Sequence, residues 1–398
     1  MPTFRSVLFW AHLVCGVVAG VVILLMSVTG VALTYEKQML EWADQRAHPW
    51  VPPSNGARPL SPETLLAAVT AARPGAAPTG VTRLADRDAP ATVTLEGTGA
   101  VLVNPYTGAI LGEPAPGLRA FFRATTNWHR WLALDGASRT TGRLITGVAN
   151  AAFLFIVVSG IYLWVPRLWS RLQFAQVLWF RRGLPDKARD FNWHNVIGIW
   201  SAVPLAIVVA GAVPISFPWA SNVVYRLVGD TPPTPPARPA GAPAPGGSRG
   251  ERGERRAQAP VSFVGLDAAW AAAEAKVPSW RAISTRFAGP PQAPFAITID
   301  EGYGGQPQKR GTLTVDRATG AVASWETFDA LSPGRRARSW LRFAHTGEYY
   351  GLTGQTIAGL VSAGGAVLVY TGLALAWRRW WAWLRRRSRA RAIDAAAA

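Results

Sequence analysis

Four long apolar runs dominate the pattern of hydrophobic and polar positions along the chain. They cover Val7–Leu33, Leu144–Val165, Val196–Phe217 and Ile357–Trp377, and none contains an acidic residue or a lysine. Each run has the roughly 20 residues that an α-helix needs to cross a hydrocarbon core about 30 Å thick. The first run is also far longer than the apolar core of a secretory signal, which is about 7–15 residues. The pattern predicts a membrane α-helical bundle of four transmembrane (TM) helices, the first of them an anchor.

The charged segments between the runs predict the orientation of the bundle. The segment Arg167–Arg189 holds six basic residues and Arg378–Asp394 holds seven. Short basic segments stay on the cytoplasmic side of a membrane. Both termini are therefore predicted to be cytoplasmic, and the net charge of +18 is explained by membrane topology rather than by binding to nucleic acid.

The positions of the apolar runs and the predicted orientation together give an organisation in which TM helices alternate with segments outside the membrane. The two outward segments are expected to be separate α+β domains, and the other two segments are expected to be a cytoplasmic loop and tail. The predicted TM helices are 1–35, 142–166, 194–218 and 355–379, the outward domains are 36–141 and 219–354, the basic loop is 167–193, and the basic tail is 380–398.

The two halves of the chain resemble each other in sequence. TM helices 1 and 3 each begin with an aromatic residue, a histidine and a glycine four residues later, and TM helices 2 and 4 each begin with a Thr-Gly pair. The halves also share the same order of predicted elements, which indicates an internal parallel duplication. The unit is a helix, an outward α+β domain and a second helix.

Each outward segment carries one predicted helix followed by strands that end in a hairpin turn. In the first, Ser61 is expected to cap a helix that starts at Pro62. The predicted elements are a helix at Ser61–Ala72 with strands near Gly80–Leu84, Thr92–Glu96 and Ala100–Val103, then a helix at Gly265–Lys276 with strands near Ser279–Phe287, Phe295–Ile299 and Thr312–Asp316. The segment 231–260 is rich in Pro, Gly and Arg and is predicted to be a disordered insertion, because it has too few large apolar residues to form a core.

Four of the five histidines lie at the predicted edges of the membrane. His12 and His194 begin TM helices 1 and 3 at the inner face, and His129 and His345 precede TM helices 2 and 4 at the outer face. Ionisable residues at membrane depth are costly and are usually functional. The alternative is that each is an interfacial ring without a ligand. His48 lies in a Pro-flanked loop and is interpreted as a surface residue.

Repeat-related histidines can meet in pairs across the axis of a bundle and bind one metal between two imidazoles. Zinc would normally need four protein ligands, or three and a water, whereas a pair of histidines supplies two. A haem fits two ligands better, because the porphyrin supplies the other four. Gly16 and Gly198 lie one turn beyond the inner histidines, where the missing side chain would let a flat macrocycle approach. Close helix packing is the alternative role for these glycines.

Arginines flank the outer histidines in the sequence. Arg123, Arg130 and Arg342 are the nearest. A guanidinium pairs well with a carboxylate, so they are candidate partners of haem propionates. An ordinary interfacial role remains open for all three.

The His-bearing helices, the hairpins and the helix ends resemble the PepSY-associated transmembrane family, which includes inner-membrane di-haem reductases of ferric siderophores. The resemblance implies a bacterial inner-membrane protein with two periplasmic PepSY-like α+β domains and two b-type haems. By matching position, His12 and His194 would hold the inner haem and His129 and His345 the outer one. The long insertion departs from the family pattern. The segments that carry the resemblance are Asn127–Leu132, Gly160–Arg167, Phe191–Gly198 and Phe343–Gly347.

The function predicted from these features is electron transfer across the membrane to a ferric siderophore or another ferric chelate. A cytoplasmic flavoprotein reductase or quinol would be the electron donor, and bis-His iron, being six-coordinate, would carry electrons rather than activate oxygen. Two other classes remain open. One is a non-enzymatic regulator whose outward domains bind a peptidase or sensor. The other is a transporter, for which Pro204 and Pro214 are the only hint of a broken helix.

Overall fold

A computed structural model of the protein describes residues 3–50, 53, 56–97, 99–165, 171–233, 262–287 and 292–397. The predicted insertion 231–260 lies outside the described residues from residue 234 onward. The chain divides into two compact units, the membrane unit (Met1–Thr34, Ala124–Pro233 and Trp340–Ala398) and the sheet unit (Tyr35–Arg123 and Thr234–Ser339).

The described α-helices form most of the membrane unit, and some of them belong to the sheet unit. In chain order they are α1 (Phe4–Leu33), α2 (Glu36–Ala47), α3 (Pro62–Ala72), α4 (Pro116–Trp131), α5 (Arg139–Trp164), α6 (Arg171–Leu178), α7 (Asp186–Ser216), α8 (Pro218–Leu227), α9 (Leu266–Lys276), α10 (Pro333–His345) and α11 (Gly351–Ala397).

Four of these helices, α1, α5, α7 and α11, are long and apolar enough to span a membrane. The chain is therefore a multi-pass membrane protein, as the apolar runs predict. Helix α7 is continuous through Pro204 and Pro214. Helix α11 continues beyond the predicted end at residue 379 and includes the basic tail, which is rich in the strong helix formers Arg and Ala.

The four spanning helices form a bundle with a defined arrangement. Helices α1 and α7 each pack against both α5 and α11, so α1 and α7 lie on one diagonal. Ile23, Phe153 and Leu205 are among the buried residues that fill the middle of the bundle. The buried Asn150 side chain donates to the carbonyl oxygen of Val209 at 3.0 Å, which satisfies the polar group inside the apolar core.

Two short amphipathic helices that the sequence analysis did not predict, α4 and α10, lead into α5 and α11. Each is followed by a tight turn that approaches the first turn of the next helix. A Cβ atom added to Gly142 would lie 2.1 Å from the carbonyl oxygen of Trp131, and one added to Gly354 would lie 2.2 Å from that of Gly347. The glycine of each Thr-Gly pair is therefore needed for the close approach of two backbones.

The sheet unit contains eight described strands in one antiparallel sheet with the order β4-β3-β2-β1-β5-β6-β7-β8. The helices and strands predicted for the outward segments are present within a few residues of their predicted ends. The sequence analysis expected two separate domains here, but β1 pairs with β5 and joins the two sets of strands into one sheet. The strands are β1 (Pro78–Leu84), β2 (Ala91–Leu95), β3 (Gly99–Val103), β4 (Ile110–Gly112), β5 (Ala282–Arg286), β6 (Phe295–Asp300), β7 (Arg310–Val315) and β8 (Val322–Thr327).

One hydrophobic core serves the whole sheet unit, with α3 and α9 packed against the strands. Trp270, Ile283 and Leu66 lie in this core. The starts of the two helices cap each other, since the backbone N–H of Glu63 donates to Asp267 at 2.8 Å and that of Asp267 donates to Glu63 at 3.1 Å. A carboxylate at a helix N-terminus satisfies an unpaired N–H and is favoured by the helix dipole.

Candidate functional site

The four membrane-edge histidines form two pairs at opposite ends of the membrane unit. We call His12 and His194 the inner pair and His129 and His345 the outer pair, after the predicted orientation. The inner-pair residues lie in the third turn of the diagonal helices α1 and α7, and the outer-pair residues lie in the last turn of the short helices α4 and α10. His129 contacts α1 at Thr29, which is 17 residues from His12. The two pairs are therefore about 25 Å apart along that helix.

The rings of the outer pair face the same small space. Their centroids are 6.3 Å apart, with 42° between the ring planes. A metal ion between two imidazole nitrogens needs about 2 Å on each side, which with the ring radii places the ring centres about 6 Å apart. The observed separation of the outer pair fits this requirement. His12 lies close enough to His194 for the two to interact electrostatically.

The Nδ1 atom of each outer histidine is held by a spanning helix. The Thr29 hydroxyl donates to the carbonyl oxygen of Leu25 at 2.7 Å. Its oxygen is thus left to accept from His129 Nδ1, which lies 2.9 Å away. His345 Nδ1 lies 2.7 Å from the carbonyl oxygen of Val208. A carbonyl can only accept, so His345 must donate from Nδ1.

The inner pair has the same arrangement. His12 Nδ1 lies 2.9 Å from the Ser159 hydroxyl on α5, and His194 Nδ1 lies 3.0 Å from the Thr371 hydroxyl on α11. These hydroxyls donate to carbonyl oxygens of their own helices, Ser159 to Ile156 at 3.2 Å and Thr371 to Val367 at 2.8 Å. Both hydroxyl oxygens therefore accept from a histidine on a diagonal helix.

The hydrogen bonds assign one tautomer to all four rings. Each ring carries its proton on Nδ1 and keeps a lone pair on Nε2. Ligating histidines in proteins are oriented in this way by a bond from the other ring nitrogen to a fixed acceptor. The arrangement presents four unprotonated Nε2 atoms, two at each end of the bundle, and each of them can bind a metal.

A glycine follows the hydroxyl residue in three of the four contacts. A Cβ atom added to Gly30, Gly160 or Gly372 would lie 3.6, 3.4 and 3.4 Å from the Cε1 atom of His129, His12 and His194 respectively. Ser159, Thr371 and Thr29 were not among the site residues predicted from the sequence. The repeated dipeptide of a hydroxyl residue and glycine is the signal that would have found them.

The fourth contact departs from this pattern at the corresponding position of α7. Gly211 lies 182 residues after Thr29, the same interval that separates His12 from His194. Gly211 offers no hydroxyl, and His345 Nδ1 donates to the carbonyl oxygen of Val208 instead. A Cβ atom on Gly211 would lie 2.4 Å from the carbonyl oxygen of Leu341 and 3.0 Å from Cβ of His345. Gly211 therefore lets α10 approach α7 closely enough for the bond to Val208.

Gly16 and Gly198, predicted to border a macrocycle, are not tightly packed. Among the described residues, no atom lies within 4 Å of a Cβ added to Gly16, and only Leu368 lies near one added to Gly198, at 3.7 Å. Close helix packing does not require either glycine here. Their contact with a macrocycle stays a prediction.

Positive charge surrounds the outer pair. Burial, followed by repulsion from Arg143, Arg342 and Arg139, lowers the pKa of Arg130. The Arg130 guanidinium also stacks over Trp131 at 4.6 Å, and that of Arg342 over Phe343 at 5.5 Å. An anionic group at this site would relieve the repulsion between these cations. The described contacts of Arg123 do not place it in this cluster.

The outer histidines lie on α4 and α10, outside the four spanning segments. Burial, followed by the proximity of His345, lowers the pKa of His129 to about 4. Burial also lowers the pKa of His345. Both rings are neutral at pH 7, which is the form that binds a metal.

The described residues contain no group of three or more His, Cys, Asp or Glu side chains that could hold a metal ion. Each pair thus offers two imidazole ligands. The fifth histidine, His48, is a half-buried residue of the sheet unit whose Nε2 lies 3.0 Å from the carbonyl oxygen of Glu113. It belongs to neither pair, and it is half-buried rather than the surface residue expected from the sequence.

A family model described as "PepSY-associated TM region" matches residues 9–379 of the chain. The match covers the parts of the four spanning helices that lie between residues 9 and 379, and every histidine. A comparison with curated proteins returned no match.

Proposed function

We propose that this chain, which belongs to the PepSY-associated transmembrane family, holds one b-type haem at each histidine pair and reduces a ferric chelate on the outer side of the membrane. The chelate would be a siderophore complex or a similar anionic complex. The electrons would come from a flavoprotein or quinol on the inner side. Under this proposal the chain lies in a bacterial inner membrane with both termini in the cytoplasm.

The observation that carries the proposal is the tautomer that the four histidines share. In each, Nδ1 donates to an acceptor on a neighbouring spanning helix, which leaves Nε2 free to bind iron. Interfacial histidines without a ligand would have no reason to share one tautomer. A bis-imidazole haem iron accepts and gives up single electrons without an open coordination position.

The chain's own residues would orient and neutralise the cofactors. Ser159, Thr371 and Thr29 would orient three of the four rings, and Gly211 would place the fourth. The cluster that includes Arg130 and Arg342 would pair with the propionates at the outer pair. The apolar middle of the bundle would separate the two sites and exclude water from the path between them.

The arrangement of the elements supports an internal duplication. Helix α1 corresponds to α7, α4 to α10, and α5 to α11, with one histidine on α1, α7, α4 and α10. In the sheet unit each half contributes four strands and one helix that packs against them, α3 or α9, and the order β4-β3-β2-β1-β5-β6-β7-β8 is symmetric about the β1–β5 pair. Two PepSY-like halves that share one sheet would explain this symmetry.

The proposal is tested by the absorption spectrum of the detergent-purified protein, oxidised and reduced, with haem counted per chain. We expect low-spin bands and two haems per chain after expression with ample haem. The reduced protein in proteoliposomes should then be reoxidised by an external ferric chelate. A protein without a Soret band would contradict the haem sites. Haem that is not reoxidised by ferric chelates would contradict the acceptor alone.

The hydroxyl of Thr371 is expected to matter for haem affinity at the inner pair. The substitution Thr371→Val keeps the shape of the side chain but removes the acceptor for His194 Nδ1, and loss of such a partner weakens metal binding by about 10–100-fold. Haem titration of the apo-protein, followed with the midpoint potential of the inner site, measures the effect. Thr371→Ser should restore both values.

A matched control lies on the same helix. The Thr356 hydroxyl donates to the carbonyl oxygen of Leu352 at 2.8 Å, as Thr371 does to that of Val367, but Thr356 is the partner of none of the four histidine Nδ1 atoms. Thr356→Val should leave haem affinity unchanged. Equal effects of the two Thr→Val substitutions would show that Thr371 acts on helix stability rather than on His194.

A further inference from the structure

A groove of about 570 Å³ lies on the membrane unit at the end where α7 begins. One wall is the segment that joins α6 to α7, the other is the first three turns of α7, and α11 contributes to the floor. Its volume lies in the range of small-molecule sites, about 300–1,000 Å³. The lining residues that matter for its chemistry are Arg181, Arg182, Arg189, Trp193, Ile197 and Val367.

The groove is basic at its rim. Arg189 is ion-paired with Asp186 and Asp190, at 3.1 Å each. Arg181 and Arg182 are exposed, and no carboxylate of the described residues forms an ion pair with either of them. Two guanidinium groups that are adjacent in sequence thus stand at the rim without a counter-charge.

The wall that carries these arginines is held in place by buried polar contacts. The Asn192 side chain, 4% exposed, donates to the carbonyl oxygen of Trp179 at 3.1 Å and accepts from the backbone N–H of Arg181 at 3.1 Å. The indole N–H of Trp200 donates to the carbonyl oxygen of Leu178 at 3.0 Å. The rim is therefore preorganised by residues of α7 itself.

The groove becomes apolar away from the rim. Ile197 and Val367 belong to spanning segments of α7 and α11. Trp193 lies between the two zones, 41% exposed, with its ring 6.3 Å from that of Phe180. Tryptophan prefers the boundary between headgroups and hydrocarbon. The groove therefore runs from the headgroup level into the hydrocarbon level of one leaflet.

We propose that this groove binds an anionic phospholipid. Its phosphate would lie on Arg181 and Arg182, and the start of an acyl chain would lie along Ile197 and Val367. A basic pocket between spanning helices suits an anionic headgroup, and the apolar floor adds binding energy that a soluble anion could not use. The proposal does not depend on haem.

The test is native mass spectrometry of the full-length protein in detergent, titrated with phosphatidylglycerol or with phosphatidylcholine. The first phosphatidylglycerol should bind at least about tenfold more tightly than phosphatidylcholine. The double variant R181Q/R182Q should lose that difference, since each cation near an anionic headgroup is worth roughly a factor of five or more in affinity. The variant R181K/R182K keeps the charge and should keep most of the binding.

The matched control removes two arginines from the helical tail. Arg385 and Arg386 are exposed residues of α11 outside the groove, and R385Q/R386Q should change the affinity for the first lipid by less than about twofold. Equal losses in the two glutamine variants would overturn the proposal, because they would show a general effect of charge.

Two further results would also overturn it. The first is displacement of the lipid by soluble glycerophosphoglycerol at equal concentration, which would show that the apolar floor plays no part. The second is loss of haem from R181Q/R182Q, which would assign the groove to the cofactor site.

Discussion

The substitution His345→Ala is expected to lower the haem content from two to one per chain. An iron with a single imidazole ligand in place of two is bound weakly, and the lost ligand leaves the neighbouring His129 without a partner across the 6.3 Å gap. His129→Ala should have the same effect, and so should the double substitution, because under the proposal both residues hold the same haem. Haem per chain, measured on purified protein, checks each variant.

A double substitution with one histidine from each pair tests which histidines share a haem. His12→Ala together with His345→Ala should leave no haem, because each removes a ligand from a different pair. His48→Ala is the matched control, since His48 lies in the sheet unit and bonds only to a carbonyl, and it should leave two haems. A cross-pair double variant that retains one haem would refute the assignment of the pairs.

The substitution Gly211→Ala is expected to displace α10 from α7 and to disturb the outer pair. The added methyl group would lie 2.4 Å from the carbonyl oxygen of Leu341, and a backbone atom cannot move aside as a side chain can. Overpacking of this kind costs about 1–3 kcal/mol. We expect a lower thermal midpoint, and a haem content that falls toward one per chain because His345 loses its contact with Val208.

Gly117→Ala is the control for this prediction. Gly117 is an exposed residue at the start of α4, and no described atom lies within 4 Å of an added Cβ. Alanine in a helix is favoured over glycine by up to about 1 kcal/mol, so the thermal midpoint should stay or rise. A Gly211→Ala variant with unchanged stability and two haems would show that α10 does not depend on this close approach.

Local and periodic signals in the sequence were enough to predict most of the elements. The apolar runs predicted the spanning helices, because a hydrocarbon environment demands about 20 consecutive apolar residues. Ser61 followed by Pro62 predicted the start of α3, and the Ser61 side chain does accept from the backbone N–H of Thr64. The similarity between the two halves of the sequence placed the four membrane-edge histidines at corresponding positions. The match to the PepSY-associated transmembrane family confirms the resemblance to that family.

Contacts between distant parts of the chain could not be predicted in the same way. The pairing of β1 with β5 joins the two expected domains into one sheet. Which strand edges pair depends on how the two halves are placed in the folded protein, and a strand's own sequence does not show that. Helices α4 and α10 were not predicted although both are amphipathic, so their periodic signal was present in the sequence.

The sequence by itself determined that this is a membrane protein with four long apolar helices and that four histidines lie near their ends, because hydrophobic length and residue spacing are properties of the chain. Only the tertiary structure decided how those histidines are held. Ser159 is 147 residues from His12, and Thr371 is 177 residues from His194. A hydrogen bond that orients a ring depends on which helices pack side by side, and that packing exists only in the folded bundle.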